Sequence, residues 1–234
     1  MRGSPIDFSI RLQAIRERIG HAAERAGRPP ADVRLLGASK TVSVEVLREF
    51  RSLGLHRFGE NRVQEALPKV EALGSGVEWH FIGHLQKNKV KSVVGHFEII
   101  HSLDSLGLAK AINQYCEKIG KGQPVLLEVN VSGESSKEGF NFQEVEKAVK
   151  ALNDFPRVEV RGLMTVPPHA SDPEFSRPYF RLLNGLRNKL EQLSGRPFPE
   201  LSMGMSNDFE VAIEEGATIV RIGTALFGER PPVH

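Results

Sequence analysis

Cysteine is almost absent from this sequence, which contains a single one, Cys116, among 234 residues. One cysteine excludes an internal disulfide and is typical of proteins that work in a reducing compartment. Cys116 falls on the apolar stripe of a predicted helix, so we expect it to pack in the core. The sequence therefore predicts a cytoplasmic protein whose fold does not depend on disulfide bonds.

Long apolar runs and an excess of charge of one sign are also missing. No apolar stretch is long enough to cross a bilayer, and the amino terminus lacks the apolar core of a signal peptide. The 31 basic and 29 acidic residues leave a formal charge of +2 and are interspersed along the chain. We therefore expect neither membrane insertion nor binding to nucleic acid.

A regular alternation of strand-like and helix-like segments is what the sequence does contain. Ahead of it lies an amphipathic helix, for which we predict Ser9 as the N-cap and Gly27 as a left-handed stop. Eight predicted strands follow, at residues 33–39, 57–59, 79–82, 97–101, 124–131, 158–164, 200–202 and 218–222. Predicted helices follow the first seven strands, at residues 44–53, 63–73, 87–94, 106–119, 143–152, 178–193 and 208–215.

Eight predicted strands, of which the first seven are each followed by a predicted helix, favour a closed parallel barrel. Several strand runs are apolar on consecutive residues, as strands covered on both faces should be. The competing architecture is an open doubly wound sheet, but no Gly-x-Gly-x-x-Gly loop opens any predicted helix. The sequence predicts an α/β fold, a single-domain (β/α)8 TIM-type barrel over residues 1–234, with an extra N-terminal helix and linker at residues 1–30 packed on it.

A lysine at the end of the first predicted strand is the first candidate functional residue. Burial penalises the charged form of Lys40, and a neutral amine can attack a carbonyl and form a Schiff base. The alternative is a structural lysine whose charge reaches solvent along the strand end. In barrels of this type the active site lies at the carboxyl ends of the strands, where Lys40 falls.

The loops after the seventh and eighth predicted strands carry small hydroxyl and glycine residues, namely Ser206, Gly223 and Thr224. These loops are the usual phosphate-binding pair of the fold, although two ordinary tight turns would look the same. An amine beside a phosphate cradle suits a phosphorylated aldehyde or ketone, which leaves pyridoxal phosphate and the sugar phosphates of aldolases open. Arg221 would lie beside this cradle and face either the phosphate or a pyridine nitrogen.

Six short blocks of the sequence resemble the pyridoxal-phosphate homeostasis protein family, whose fold is similar to the barrel domain of alanine racemase. The blocks are Ala-Ser-Lys-Thr at 38–41, Phe-Gly-Glu-Asn at 58–61, His-Phe-Ile-Gly-His-Leu-Gln at 80–86, Gly-Leu-Met at 162–164, Leu-Ser-Met-Gly-Met-Ser at 201–206 and Arg-Ile-Gly-Thr at 221–224. The resemblance implies that Lys40 holds pyridoxal 5′-phosphate as an aldimine. It also implies the contacts of six further residues: Arg221 at the pyridine nitrogen, Ser206, Gly223 and Thr224 at the phosphate, and Asn61 and Met203 along the ring.

The resemblance implies a cofactor carrier without efficient turnover, which keeps free pyridoxal phosphate low and supplies it to apo-enzymes. An amino-acid racemase is the first alternative, and a Schiff-base sugar-phosphate aldolase is the second. Against the racemase, the chain ends at His234 without a second domain, and Tyr115 and Tyr179 both fall in predicted helices. We expect a monomer and assign no catalytic residue.

No metal site is predicted. His80 and His84 have the spacing of a metal pair on one helix face, but residues 81–83 have the pattern of a strand end and a turn. Inside the barrel, we expect Glu128 to pair with Arg161.

Overall fold

Parallel strands and helices alternate through the chain. The structure, a computed structural model, describes residues 5–135 and 137–229, with side chains from residue 7 onward. Its strands are β1 (Arg34–Ala38), β2 (Arg57–Glu60), β3 (Glu78–Phe81), β4 (Ile99–Leu103), β5 (Gln123–Asn130), β6 (Phe140–Asn141), β7 (Val158–Met164), β8 (Glu200–Ser202) and β9 (Ile219–Ile222). Its α-helices are α1 (Pro5–Arg25), α2 (Val44–Ser52), α3 (Val63–Leu73), α4 (Val90–Val93), α5 (Leu106–Ile119), α6 (Val145–Ala151), α7 (Arg177–Ser194), α8 (Phe209–Glu214) and α9 (Thr224–Phe227).

Eight of the strands close into a ring. The order is β1, β2, β3, β4, β5, β7, β8 and β9, and β9 pairs again with β1. All of these pairings are parallel, and at the closure Leu36 lies opposite Arg221. This ring with its surrounding helices confirms the predicted TIM-type barrel.

The short strand β6 was not predicted. It pairs in parallel with the carboxyl end of β5, with Val129 opposite Phe140 and Asn130 opposite Asn141. Two residues are too few for a period of two to be visible in a sequence. The strand ties the loop after β5 back to the rim of the barrel.

The N-terminal helix begins earlier than predicted. Ser9 lies inside α1, so its predicted role as N-cap is wrong. The reason is Phe8, whose buried ring lies 5.0 Å from the ring of Phe50 and extends the apolar stripe by a turn. Beyond α1, Gly27 has the left-handed conformation that was predicted, with φ of 66°. The helix packs against α2, α8 and α9 on the outside of the barrel.

The helices turn their apolar sides to the barrel. In α7, Phe180, Leu183, Leu186 and Leu190 recur at three and four residues and are buried. Cys116 is buried on α5 in the same way, which confirms its predicted packing role. None of the described helices is both long enough and apolar enough to span a membrane.

The two faces of the strands contact different surroundings. The larger apolar cluster joins the helices to the outer face of the barrel. It includes Leu201 of β8 and Met203, which directly follows β8. A separate small cluster, consisting of Ile99, Leu126 and Met164, lies on strands β4, β5 and β7. Ser202, between Leu201 and Met203, instead forms a hydrogen bond across the ring with His101. The lumen therefore contains polar groups where such barrels usually hold branched apolar layers.

Candidate functional site

The predicted cofactor residues all lie at or near the carboxyl ends of barrel strands. Lys40 comes two residues after β1, Asn61 directly follows β2, and Arg221 lies within β9. The remaining four follow β8 or β9: Met203, Ser206, Gly223 and Thr224. Since parallel strands end at the same rim, the barrel brings residues distant in sequence to one side of the molecule.

A buried ion pair holds the backbone that leads to Lys40. On α3, Lys69 Nζ contacts Glu60 Oε1 at 2.8 Å and donates to the carbonyl oxygen of Ser39 at 2.9 Å. The Ser39 hydroxyl donates to the same Glu60 oxygen at 2.5 Å. Burial raises the pKa of Glu60, while the charge of Lys69 opposes that shift. These contacts fix the peptide that precedes Lys40.

The chain turns sharply just after Lys40. Thr41 has φ of 61°, a left-handed conformation that costs energy for a β-branched residue. Its amide donates to Glu65 Oε2 at 3.3 Å, and its hydroxyl donates to the Lys40 carbonyl oxygen at 2.6 Å. The turn leaves Lys40 exposed at the rim, so the burial considered from the sequence is not found, and a carbonyl compound can reach its amine.

Arg221 is buried in the lumen, with 5% of its surface exposed. Its Nη1 donates to Ser202 Oγ at 2.7 Å, and its Nη2 donates to the carbonyl oxygen of Thr165 at 2.9 Å. Burial lowers the pKa of Arg221 to about 10, and the charges of Glu128 and Asp208 oppose the shift. The guanidinium therefore remains a cation at neutral pH.

Two histidines continue the hydrogen bonds of Arg221 across the lumen. His101 Nδ1 lies 2.8 Å from Ser202 Oγ, and His101 Nε2 lies 2.8 Å from His80 Nδ1. Burial lowers the pKa of His80 to about 3 and that of His101 well below its usual value. Both imidazoles are therefore neutral at physiological pH. His101 and Ser202 were not predicted as site residues because no spacing along the sequence connects β4 with β8.

The candidate phosphate cradle is formed where the loops after β8 and β9 meet. Ser206 Oγ accepts hydrogen bonds from the amides of Gly223 and Ala225, at 3.3 Å each. Asp208 accepts from the Met205 amide at 2.7 Å and holds the same loop in place. Amides that converge on a hydroxyl oxygen can also bind the oxygens of a phosphate. Thr224 is the exposed first residue of α9, beside this point.

The two predicted ring contacts differ in their surroundings. Asn61 is half-buried, and its backbone packs so closely on Gly83 that a Cβ there would lie 2.7 Å from the Asn61 Cα. Met203 is fully buried in the outer apolar cluster, on the opposite face of the chain from Ser202. Contacts of Asn61 and Met203 with a cofactor ring stay predictions.

An acidic cluster occupies another part of the rim. Burial, reinforced by the charge of Asp104, raises the pKa of Glu128 to about 7, and Arg221 opposes the shift. Near it, His84 Nδ1 lies 3.1 Å from Asp104 Oδ2 and 3.9 Å from Glu138 Oε2. The sequence spacing did not reveal this cluster because Glu128 lies on β5 and the other members come from three different loops.

The predicted pair of Glu128 with Arg161 is wrong. Glu128 lies opposite Met164 in the β5–β7 pairing, three residues beyond Arg161. Arg161 instead lines a cleft of about 490 Å³ at the amino ends of the strands, together with Arg34 and Arg57. A further cleft of about 990 Å³ lies at this same end, and none of the seven predicted cofactor residues lines it.

The residues at the carboxyl rim fit pyridoxal phosphate by their chemistry. Lys40 offers an amine for an aldehyde, and Arg221 offers N–H donors and a charge for a pyridine nitrogen. Ser206 and the amides around it offer donors for a phosphate. One rim thus contains a partner for each reactive or charged part of this cofactor.

Comparison with known proteins gives a consistent result. Residues 10–231 match the family model described as alanine racemase, N-terminal domain. A pyridoxal phosphate homeostasis protein of Aquifex aeolicus is 54% identical over 221 residues, which cover 94% of this chain and 97% of that protein. PipY of Synechococcus elongatus, solved with PLP bound, is 32% identical with a TM-score of 0.82 and coverage of 94% of this chain and 100% of that one.

Alanine racemase of Clostridium difficile shares the fold alone. It is 16% identical with a TM-score of 0.75, over 96% of this chain and 57% of the racemase. At this identity the likeness concerns the barrel and not the reaction.

The neutral lumen histidines predict a loss of stability in acid. Because the folded protein holds the pKa of His101 below the unfolded value of about 6.5, the unfolded chain gains protons first as the pH falls. We expect His101→Gln to destabilise the protein at pH 7.5. The difference in free energy of unfolding between the unaltered protein and the variant should be about 2 kcal/mol smaller at pH 5, because only the unaltered protein has His101 to protonate on unfolding. Urea denaturation at both pH values measures this, and exposed His96→Gln is the control. A gap that does not change with pH would contradict the neutral assignment.

Proposed function

Because this chain belongs to the alanine racemase N-terminal domain family, and within it to the pyridoxal phosphate homeostasis proteins, we propose that it holds pyridoxal 5′-phosphate covalently at Lys40 and supplies it to apo-enzymes. The PLP bound to PipY supports the choice of ligand. The proposal covers residues 1–234 as one domain that acts as a monomer in the cytoplasm. The buried thiol of Cys116 suits that reducing compartment.

The observation that carries the proposal is the convergence of three chemical functions on neighbouring strands. Lys40 follows β1, Arg221 lies on β9, and these strands are hydrogen-bonded to each other. Ser206, on the adjoining loop after β8, accepts the amide of Gly223 directly after β9. Amine, cation and anion-binding cradle are therefore contributed by consecutive strands around the ring.

Lys40 performs the covalent step in this proposal. Its neutral amine nitrogen attacks the aldehyde carbon, a C=N bond forms, and the aldehyde oxygen leaves as water. When bound, pyridoxal phosphate supplies an aldehyde that reacts reversibly with amines. The reaction needs no oxidant or further protein group to balance, so it can reverse when an acceptor removes the cofactor.

Arg221 explains why the protein holds its cofactor without using it. A fixed cation beside the pyridine nitrogen disfavours protonation of that nitrogen, because two positive charges repel. An unprotonated ring is a weaker electron sink for carbanion chemistry. Tyr115 and Tyr179 lie in α5 and α7, outside the ring of strands. The role we assign is therefore that of a carrier, with Asn61, Met203, Gly223 and Thr224 completing the cofactor site.

Replacement of Lys40 tests the covalent attachment. We expect Lys40→Ala to abolish borohydride-stable attachment of pyridoxal phosphate, measured as a mass increase of the intact protein, because the amine that forms the bond is gone. Lys91→Ala, an exposed lysine on α4, is the matched control and should load like the unaltered protein. Stoichiometric attachment to Lys40→Ala would place the bond on another lysine and overturn the proposal.

Replacement of both hydroxyls of the cradle tests phosphate recognition. We expect Ser206→Ala combined with Thr224→Ala to weaken the binding of pyridoxal phosphate far more than the binding of pyridoxal, which lacks the phosphate. A hydrogen bond to a charged group contributes roughly 1.5–3 kcal/mol, although neighbouring losses need not add. Equilibrium titration with each ligand gives the ratio of the two dissociation constants. If binding of both ligands weakens by the same factor, the phosphate cradle lies elsewhere.

A further inference from the structure

Four buried side chains form a continuous hydrogen-bonded chain through the lumen, in the order His80, His101, Ser202 and Arg221. None of them is more than 5% exposed. The bond between His101 and Ser202 joins β4 to β8, which are not neighbours in the ring, so it crosses the lumen. The proposed function uses Arg221 alone and leaves the other three without a role.

Counting donors and acceptors shows that these hydrogen bonds can all be satisfied in only one direction. Arg221 can only donate, and each neutral imidazole has one donor and one acceptor nitrogen. When Ser202 donates to His101 Nδ1, His101 donates from Nε2 to His80 Nδ1, and every bond in the chain is satisfied. In the reverse direction Ser202 Oγ would accept twice, and its own proton would lack an acceptor among the described residues. The satisfied direction runs from the arginine through the serine to the histidines.

Neutral groups, and no carboxylate, hold Arg221 in place. Its hydrogen-bond acceptors in the described part of the chain are the Ser202 hydroxyl and the Thr165 carbonyl. Glu128 and Asp208 act on it as charges without a hydrogen bond. A guanidinium has five N–H groups. Since the described residues accept from two of them, about three remain for a ligand. No carboxylate among the described residues forms a contact ion pair with Arg221 that would cancel its charge.

We propose that His101 and His80 are positioning residues which, through Ser202, fix the guanidinium of Arg221 so that it distinguishes a ligand ring nitrogen from a C–H group at the same place. This inference rests on the proposed function, because the ring nitrogen is that of pyridoxal phosphate. A hydroxyl can rotate, so Ser202 needs a defined acceptor to present its lone pairs to Arg221. His101 is that acceptor, and His80 fixes the proton of His101 on the far nitrogen.

The first experiment uses the unaltered protein without ligand. Long-range nitrogen–proton NMR of the imidazole rings reports which nitrogen carries the proton, with His101→Leu used to assign the signals. We expect His80 and His101 to be neutral at pH 7, each with its proton on Nε2. A proton on His101 Nδ1 would reverse the chain and overturn the proposal. This result does not depend on whether pyridoxal phosphate binds.

The second experiment compares two ligands, pyridoxal phosphate and an analogue in which C–H replaces the ring nitrogen. We expect the unaltered protein to bind pyridoxal phosphate about tenfold more tightly or better, the lower range for a hydrogen bond to a charged group. Ser202→Ala and His101→Leu should reduce this preference to about twofold or less, since a misplaced guanidinium loses its directional bond. The matched control is Ser102→Ala, a buried serine of β4 whose hydroxyl lacks a partner among the described residues.

The outcomes separate this inference from the proposed function. A loss of preference in Ser202→Ala and His101→Leu, with the preference kept in Ser102→Ala, supports positioning. If the two variants bind both ligands more weakly by the same factor, the row of hydrogen bonds has only a structural role and the proposal is overturned. If the unaltered protein binds both ligands covalently with equal affinity, the proposed function stands and the inference is wrong. If it binds neither, the proposed function fails and the inference falls with it.

Discussion

The pairing of β1 with β9 is the constraint on which the site depends. It closes the ring with Leu36 opposite Arg221, so the strand that leads to Lys40 lies beside the strand that carries the arginine. If β1 and β9 lay at opposite edges of an open sheet, no site could include residues of both. Closure therefore creates the lumen and also places an amine and a buried cation, 181 positions apart in sequence (221 − 40), on neighbouring strands.

The protein stabilises its buried cations in two different ways. Lys69 contacts the carboxylate of Glu60, and the pair fixes the peptide before Lys40. Such a pair offsets the desolvation of both charges but leaves little field for a ligand. Arg221 instead bonds to a hydroxyl and a carbonyl, with two neutral histidines behind the hydroxyl. Burial lowers the pKa of Arg221, and because its hydrogen-bond acceptors among the described residues are neutral, its positive charge remains available to a ligand.

The sequence predicts most of the barrel because consecutive apolar residues and helical periods are local signals. It predicts Lys40 because a lysine at the end of an apolar strand is unusual, and Ser206 because the loops after the last two strands bind phosphate in this fold. The prediction that Glu128 pairs with Arg161 was wrong because the register shift between β5 and β7 is not visible in the sequence of either strand alone. The bond from His101 to Ser202 was missed for a related reason: it joins strands that meet only across the lumen.

The proposed carrier role requires that the protein hold pyridoxal phosphate without using it for catalysis. Racemisation needs a base on each face of the substrate alpha carbon, and Lys40 provides only one. The direct measurement is to incubate the loaded protein with L-alanine in deuterated water, then follow alpha-proton exchange by NMR and the D form by chiral chromatography. We expect at most slow exchange, without appearance of D-alanine at an enzyme-like rate. Rapid formation of deuterated D-alanine would contradict it and make the protein a racemase.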